Sequence, residues 1–139
     1  MTEHFVKGDI VTYPYLWRWQ DDKGQEHGEK DRPVCLLLAM RDDKDNTHIL
    51  LLPISSAPPY SGQTALEIPA LELKRAKLSD LKRGWITVSE CNYDILGKSY
   101  HFDMTQTPRG KFSGIFLEEV RKAFAPFLAA GRARVDRTR

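Results

Sequence analysis

A mainly β chain closed by one C-terminal helix is the fold this sequence predicts, and three observations carry it. Two long apolar runs, "PVCLLLAM" and "THILLLPI", are separated only by the polar stretch "RDDKDN". That connection is too short for a crossover helix, so the runs pair as antiparallel neighbours. Shorter stretches of strand character, "GDIVTYPY", "TALEIP" and "GWITVSEC", are set between turn-forming residues. The last patterned segment differs: "SGIFLEEVRKAFAPFLAAG" puts Phe116, Val120, Phe124 and Phe127 or Leu128 on one stripe, the signature of an amphipathic helix. The sum is a barrel-like sheet of about five to six strands, closed or covered by that helix because a bare small sheet would expose adhesive edges.

Each element has its own justification. The first strand follows Gly8, with Ile10, Thr12 and Pro14 on one face. Residues 18–31, "RWQDDKGQEHGEKD", are rich in turn formers and read as a long loop. The second strand opens on Pro33, a position where a missing N–H is tolerated, and its unbroken apolarity suggests a central place in the sheet. "ALELKRAKL" after Pro69 suits two helical turns with Leu71, Lys74 and Leu78 aligned. "GWITVSEC" reads as one strand with Trp85, Thr87 and Ser89 on one face, and residues 94–112 carry little pattern. Ser113 is placed to cap the final helix. Glu118 and Glu119 near its start and Arg132 beyond its end agree with the helix dipole. Pro126 should bend it or end its first segment.

The 139 residues, 41% hydrophobic and 29% charged, describe a globular chain rather than a disordered one. They divide into a single domain over 1–130 and a basic tail over 131–139. No apolar run is long enough to span a membrane, and "MTEHFVKGDIV" lacks a secretory core. Cys35 and Cys91 therefore read as thiols in a reducing cytoplasm. Net charge is only +2, but five basic residues fall between Lys74 and Arg83, and "RARVDRTR" carries four arginines. Such patches suit a polyanionic partner or, equally, a solvated surface.

The chemistry-bearing motifs are few. There is no phosphate-binding glycine loop, no HExxH and no paired-cysteine motif, and the four histidines are scattered, so neither metal nor cofactor is expected. Arg32 stands out. Its guanidinium offers five donors in a rigid fork that matches phosphate, and Pro33 biases it toward an extended conformation at the mouth of a strand. A salt bridge to Glu29 or Asp31 is the other reading. Ser55 and Ser56 end the third strand, and antiparallel pairing puts them at the same sheet edge as Arg32, as a phosphodiester clamp or as turn caps before Ala57-Pro58-Pro59. Trp17 and Trp19 are candidate base-stacking rings, with Lys30, Lys82 and Arg83 as candidate phosphate contacts.

In order and spacing, "KGDIVTYPY", "KDRPVCLLLA" and "THILLLPISS" make residues 5–60 resemble the MazF/PemK (Kid) family of toxin endoribonucleases from type II toxin–antitoxin systems. The resemblance implies an SH3-like barrel of the MazF/PemK/CcdB kind and a homodimer. It also implies metal-independent cleavage of single-stranded RNA and a cognate antitoxin protein. The family's catalytic arginine falls on Arg32 and its catalytic threonine on Ser55, which keeps the hydroxyl and loses a methyl. Glu29, Asp31, Ser56 and Glu90 are possible supporting residues, with the proton acceptor open among Glu29, Asp31, His27 and Glu90. Residues 16–31 correspond to the family's loop over the RNA. "PALELKRAKLSDLKRGWITVSECNYDI", "RGKFSG" and the basic tail depart from the family pattern. Two other readings stand beside the ribonuclease: a non-catalytic nucleic-acid- or protein-binding module of the same fold, and a gyrase-inhibiting toxin.

Overall fold

The structure, a computed structural model, describes residues 5–28 and 30–138; the expectation for Glu29 lies outside the described residues. The strands are β1 (Asp9–Tyr13), β2 (Arg32–Arg41), β3 (Thr47–Ser55), β4 (Ala65–Glu67), β5 (Trp85–Thr87), β6 (Cys91–Leu96), β7 (Gly110–Lys111) and β8 (Arg134–Asp136). The helices are α1 (Arg18–Asp22), α2 (Ala70–Arg75) and α3 (Gly114–Ala129). The protein is thus a small, mainly antiparallel sheet with a C-terminal helix. Its strands run β4-β5-β3-β2-β1-β7, with β6 on the first half of β3 and β8 parallel to β6.

β2 and β3 form the centre, as their apolarity predicts, in an antiparallel register that includes Val34↔Pro53 and Leu36↔Leu51. The register shifts between Leu36 and Leu38. One extra residue there bends the strand and increases its twist. On its other edge β3 carries β6 along Thr47–Leu51 and β5 at Ile54 and Ser55.

Strand alternation divides the interior into two cores. On one face Ile10, Cys35, Leu52 and Ile54 meet Phe116, Val120 and Phe124 of α3 and Leu73 of α2. Ser113 caps α3 as its sequence predicts, its Oγ accepting the Phe116 N–H at 3.2 Å. On the other face Val11, Tyr13, Val34, Leu36, Ile49 and Leu51 pack with Phe5, Tyr15, Trp17 and Phe102. Both faces are covered, so β1 buries Val11 and Tyr13 as well as Ile10 and exposes only Thr12.

Several local expectations are corrected. Residues 18–31 are not all loop: α1 opens them, its first free N–H, on Trp17, bonded by the Gln20 side chain at 2.9 Å. α2 stops at Arg75, where Lys77 takes a positive φ of 59°, and its inward face is Glu72 and Leu73 rather than Leu71, which is exposed. "GWITVSEC" breaks after Thr87, and the weakly patterned region begins inside β6. The reason is that Asn92 and Asp94, polar in sequence, are fully buried there. Of the two outcomes expected of Pro126, an end to the helix is excluded, since α3 continues to Ala129. So near the C-terminus, the carbonyl it leaves unbonded can be hydrated. Residues 134–136, within the basic tail, are strand, and Arg137 is buried.

The buried acid on β6 is fully employed. Asp94 accepts the Tyr13 hydroxyl at 2.7 Å, the Ser99 hydroxyl, and its neighbour's Ile95 N–H. Replacing Tyr13→Phe removes a donor from a buried carboxylate, and a loss of about 1.5–3 kcal/mol is expected from denaturant titration of the two proteins.

Candidate active site

Arg32 is the first residue of β2 and Ser55 the last of β3. Two residues outward along each strand from the Val34↔Pro53 pair, alternation puts both side chains on the face that carries Val34 and Leu51. They line one cavity of about 250 Å³, together with Lys30, Ser56, Trp17 and Thr87. The expectation that the strand ends meet is met.

The surroundings fix both groups. The guanidinium carbon of Arg32 stands 5.1 Å from the Trp17 ring centroid, a cation–π distance. Trp17 is itself held edge-on against Tyr15 at 5.1 Å. Ser55 Oγ accepts the Ala57 N–H at 3.0 Å, so the hydroxyl serves the turn. Its own O–H is still able to donate, since a hydroxyl accepts and donates at once. Turn cap and clamp are therefore compatible in the same atom.

The cavity continues sideways. A space of about 190 Å³ shares Trp17, Lys30, Arg32 and Tyr60 with it and adds Trp19. A further 410 Å³ is bounded by Trp19, Tyr60, Gln63, Arg18 and Glu90. Tyr60 belongs to all three and is 65% exposed. The result is a groove with a cationic, hydroxyl-lined end and an aromatic end.

The other expected residues fall at different places. Lys30 lines the Arg32 cavity. Asp31 is exposed beside Arg32, and Ser56 is exposed on the cavity wall. Trp19 is the exposed ring, with Lys23 Nζ 5.3 Å from its centroid, whereas Trp17 is buried. Glu90 sits at the aromatic end, away from Ser55. It accepts the Arg18 N–H at 2.9 Å and the Tyr15 hydroxyl at 3.1 Å, and burial raises its carboxyl above the ordinary range. Lys82 is exposed and outside the groove. Arg83 makes a bidentate pair with Glu67, 2.8 Å at each contact, and stacks over Trp85. His27 faces a separate cavity.

Sequence reading missed Tyr60, Gln63 and Thr87. Tyr60 had a usable signal: one ring inside "SSAPPYSG", a turn-rich stretch with no apolar pattern to bury it. Thr87 had a weaker one, sharing the Trp85 face of β5, which pairs with Ser55.

The chain matches no family model and no curated protein. Among the described residues no helix is long and apolar enough to cross a membrane.

Glu90 gives a pH test. Its folded carboxyl titrates above the unfolded one, so ionisation opposes folding: stability is highest with the acid protonated and declines as pH rises through the raised value. Glu90→Gln keeps an oxygen for Arg18 and Tyr15 and alters only the contact with the Gln63 side chain. Urea melts should show the variant gaining on wild type between acid and neutral pH, by about 1.4 kcal/mol for each unit the carboxyl is raised, and matching it at low pH.

Proposed function

We propose that the groove binds single-stranded RNA and that its cationic end cleaves it without a metal ion, as in toxin endoribonucleases of the MazF/PemK kind. The observation that carries this reading is the shared cavity of Arg32, Ser55 and Lys30, opening onto Trp19 and Tyr60. A phosphodiester needs charge neutralisation and a fixed orientation, and unpaired bases need rings to stack on.

In the proposed reaction a ribose 2′-oxygen attacks its own 3′-phosphorus. The P–O2′ bond forms, the P–O5′ bond breaks, the 2′-hydroxyl proton leaves and the 5′-oxygen gains one. The products are a 2′,3′-cyclic phosphate and a 5′-hydroxyl. Arg32 stabilises charge growing on the non-bridging oxygens, Ser55 donates to one of them, and Lys30 neutralises the neighbouring phosphate. RNA brings its own nucleophile, so the serine forms no ester. Asp31 is the nearest acid in sequence for the proton, while Glu90, at the aromatic end, is better placed for a base edge.

A small SH3-like barrel suits this reading, supported by the irregularity in β2 and by β3 carrying β5 and β6 along one edge. So does a homodimer. An apolar hollow of about 470 Å³ lined by Leu38, Met40, Leu50 and Leu128 lies elsewhere on the surface, with Met40 59% exposed. A cognate antitoxin would block the same groove, and the toxin would act on RNA in the cytoplasm.

The test is incubation of purified protein with end-labelled single-stranded RNA in EDTA. Wild type should give cyclic-phosphate and 5′-hydroxyl ends. Arg32→Ala should slow cleavage by about a hundredfold or more and Ser55→Ala by about tenfold, with Ser55→Thr active. RNA binding without cleavage in any of these proteins would instead favour the non-catalytic module. Growth arrest with intact cellular RNA would favour the gyrase-inhibiting toxin.

A further inference from the structure

A second cavity, of about 310 Å³, is also lined by the 16–28 segment and, among the described residues, shares no lining residue with the groove. Its walls include Leu16, the turn at Gly24–His27, His101 and the chain end at Asp136 and Arg137. Its volume is at the lower bound of small-molecule sites.

Arg137 is the residue that asks for an explanation. It is only 2% exposed. Its Nη1 donates to the Pro14 carbonyl at 2.8 Å and to Asn92 Oδ1 at 3.0 Å, and its guanidinium lies over the Tyr13 ring. Its Nη2 is buried and, among the described residues, has no hydrogen-bond partner. Leaving a buried charged donor unsatisfied costs more than any ordinary hydrogen bond returns, and in a wall of a polar cavity the natural remedy is an acceptor from a ligand.

The neighbours set what that ligand can be. The His27 and His101 rings are 5.8 Å apart and T-shaped. Burial, with Arg137 and His27 adding to it and Asp94 opposing, lowers the His101 pKa, so at neutral pH it is an uncharged imidazole able to share a hydrogen bond. Asp21, Glu26 and Asp136 also line the space, with Glu26 and Asp136 exposed. The charge is therefore graded: a cation buried in the wall, carboxylates toward solvent. A polyanionic RNA backbone would meet that rim unfavourably.

We propose that this cavity is a binding site for a small zwitterion of amino-acid size, its carboxylate or phosphate on Arg137 beside the imidazoles and its ammonium or guanidinium at the Glu26 rim. The site is independent of the RNA reading, and its test needs no cleavage.

L-arginine, acetate and inorganic phosphate serve as probes, with calorimetry for affinity and imidazole NMR for location. L-arginine should bind saturably and shift the His27 and His101 signals, with His101 titrating at higher pH because a bound anion favours the imidazolium. Acetate and phosphate, lacking the cationic end, should bind at least about tenfold more weakly. Glu26→Lys, a change at an exposed position, should weaken L-arginine by about tenfold and leave acetate as tight or tighter. Arg137→Gln should abolish all binding; where circular dichroism shows it unfolded, Glu26→Lys alone decides. Absence of saturable histidine shifts, an equal L-arginine affinity in Glu26→Lys, or displacement of the probe by a short single-stranded RNA would each overturn the proposal.

Discussion

One buried amide holds much of this molecule in place. Asn92 on β6 is fully buried, and its side chain pairs with the backbone of Leu16 as another strand would, Nδ2 donating to the carbonyl at 2.7 Å and Oδ1 accepting the N–H at 2.9 Å. Chain leaving β1 thus obtains backbone partners without joining the sheet, which a buried segment cannot do without. Trp17 follows directly, and Trp17 is the surface over which Arg32 lies. The same Oδ1 accepts from Arg137, so the amide also fixes the wall of the second cavity. An amide at this point satisfies three groups at once; an aliphatic residue of its size would leave the two Leu16 backbone groups buried and unpaired.

The groove owes its form to a division of labour between the two faces of the sheet. The helix-covered face is aliphatic and phenylalanine-rich, closed by α3 and α2. The opposite face is closed by Tyr13 of β1 and by Tyr15, Trp17 and Phe102 on connecting segments, and the tyrosines and tryptophan carry polar tips that need partners. Tyr13 finds Asp94 and Tyr15 finds Glu90. Polar groups, aromatic rings and the two strand ends at Arg32 and Ser55 consequently accumulate on one side, where a binding surface can be built on rigid elements.

Charge is distributed on the same logic. Arg83, exposed and doubly bonded to Glu67, is a surface pair of modest worth, whereas Arg32 at a strand mouth is held by packing against a buried ring. The thiols have no such role: burial raises Cys35 well above the ordinary range and pushes Cys91 up to about 12, which leaves both as inert core side chains.

The order of the main elements, the antiparallel β2–β3 pairing, the cap at Ser113 and the stripe on α3 were legible in the sequence because each depends on local periodicity and turn chemistry. The meeting of Arg32 with Ser55 was legible too, since antiparallel pairing alone brings those strand ends together. Tertiary structure decided the rest. Asn92 and Asp94 look like loop residues until partners far along the chain, Leu16 and Tyr13, make them strand. Arg137 looks like a solvated tail until β8 pairs with β6. Tyr60 joins the groove only because a turn folds over it. In each case the deciding interaction is a long-range hydrogen bond or contact whose energy no local pattern records.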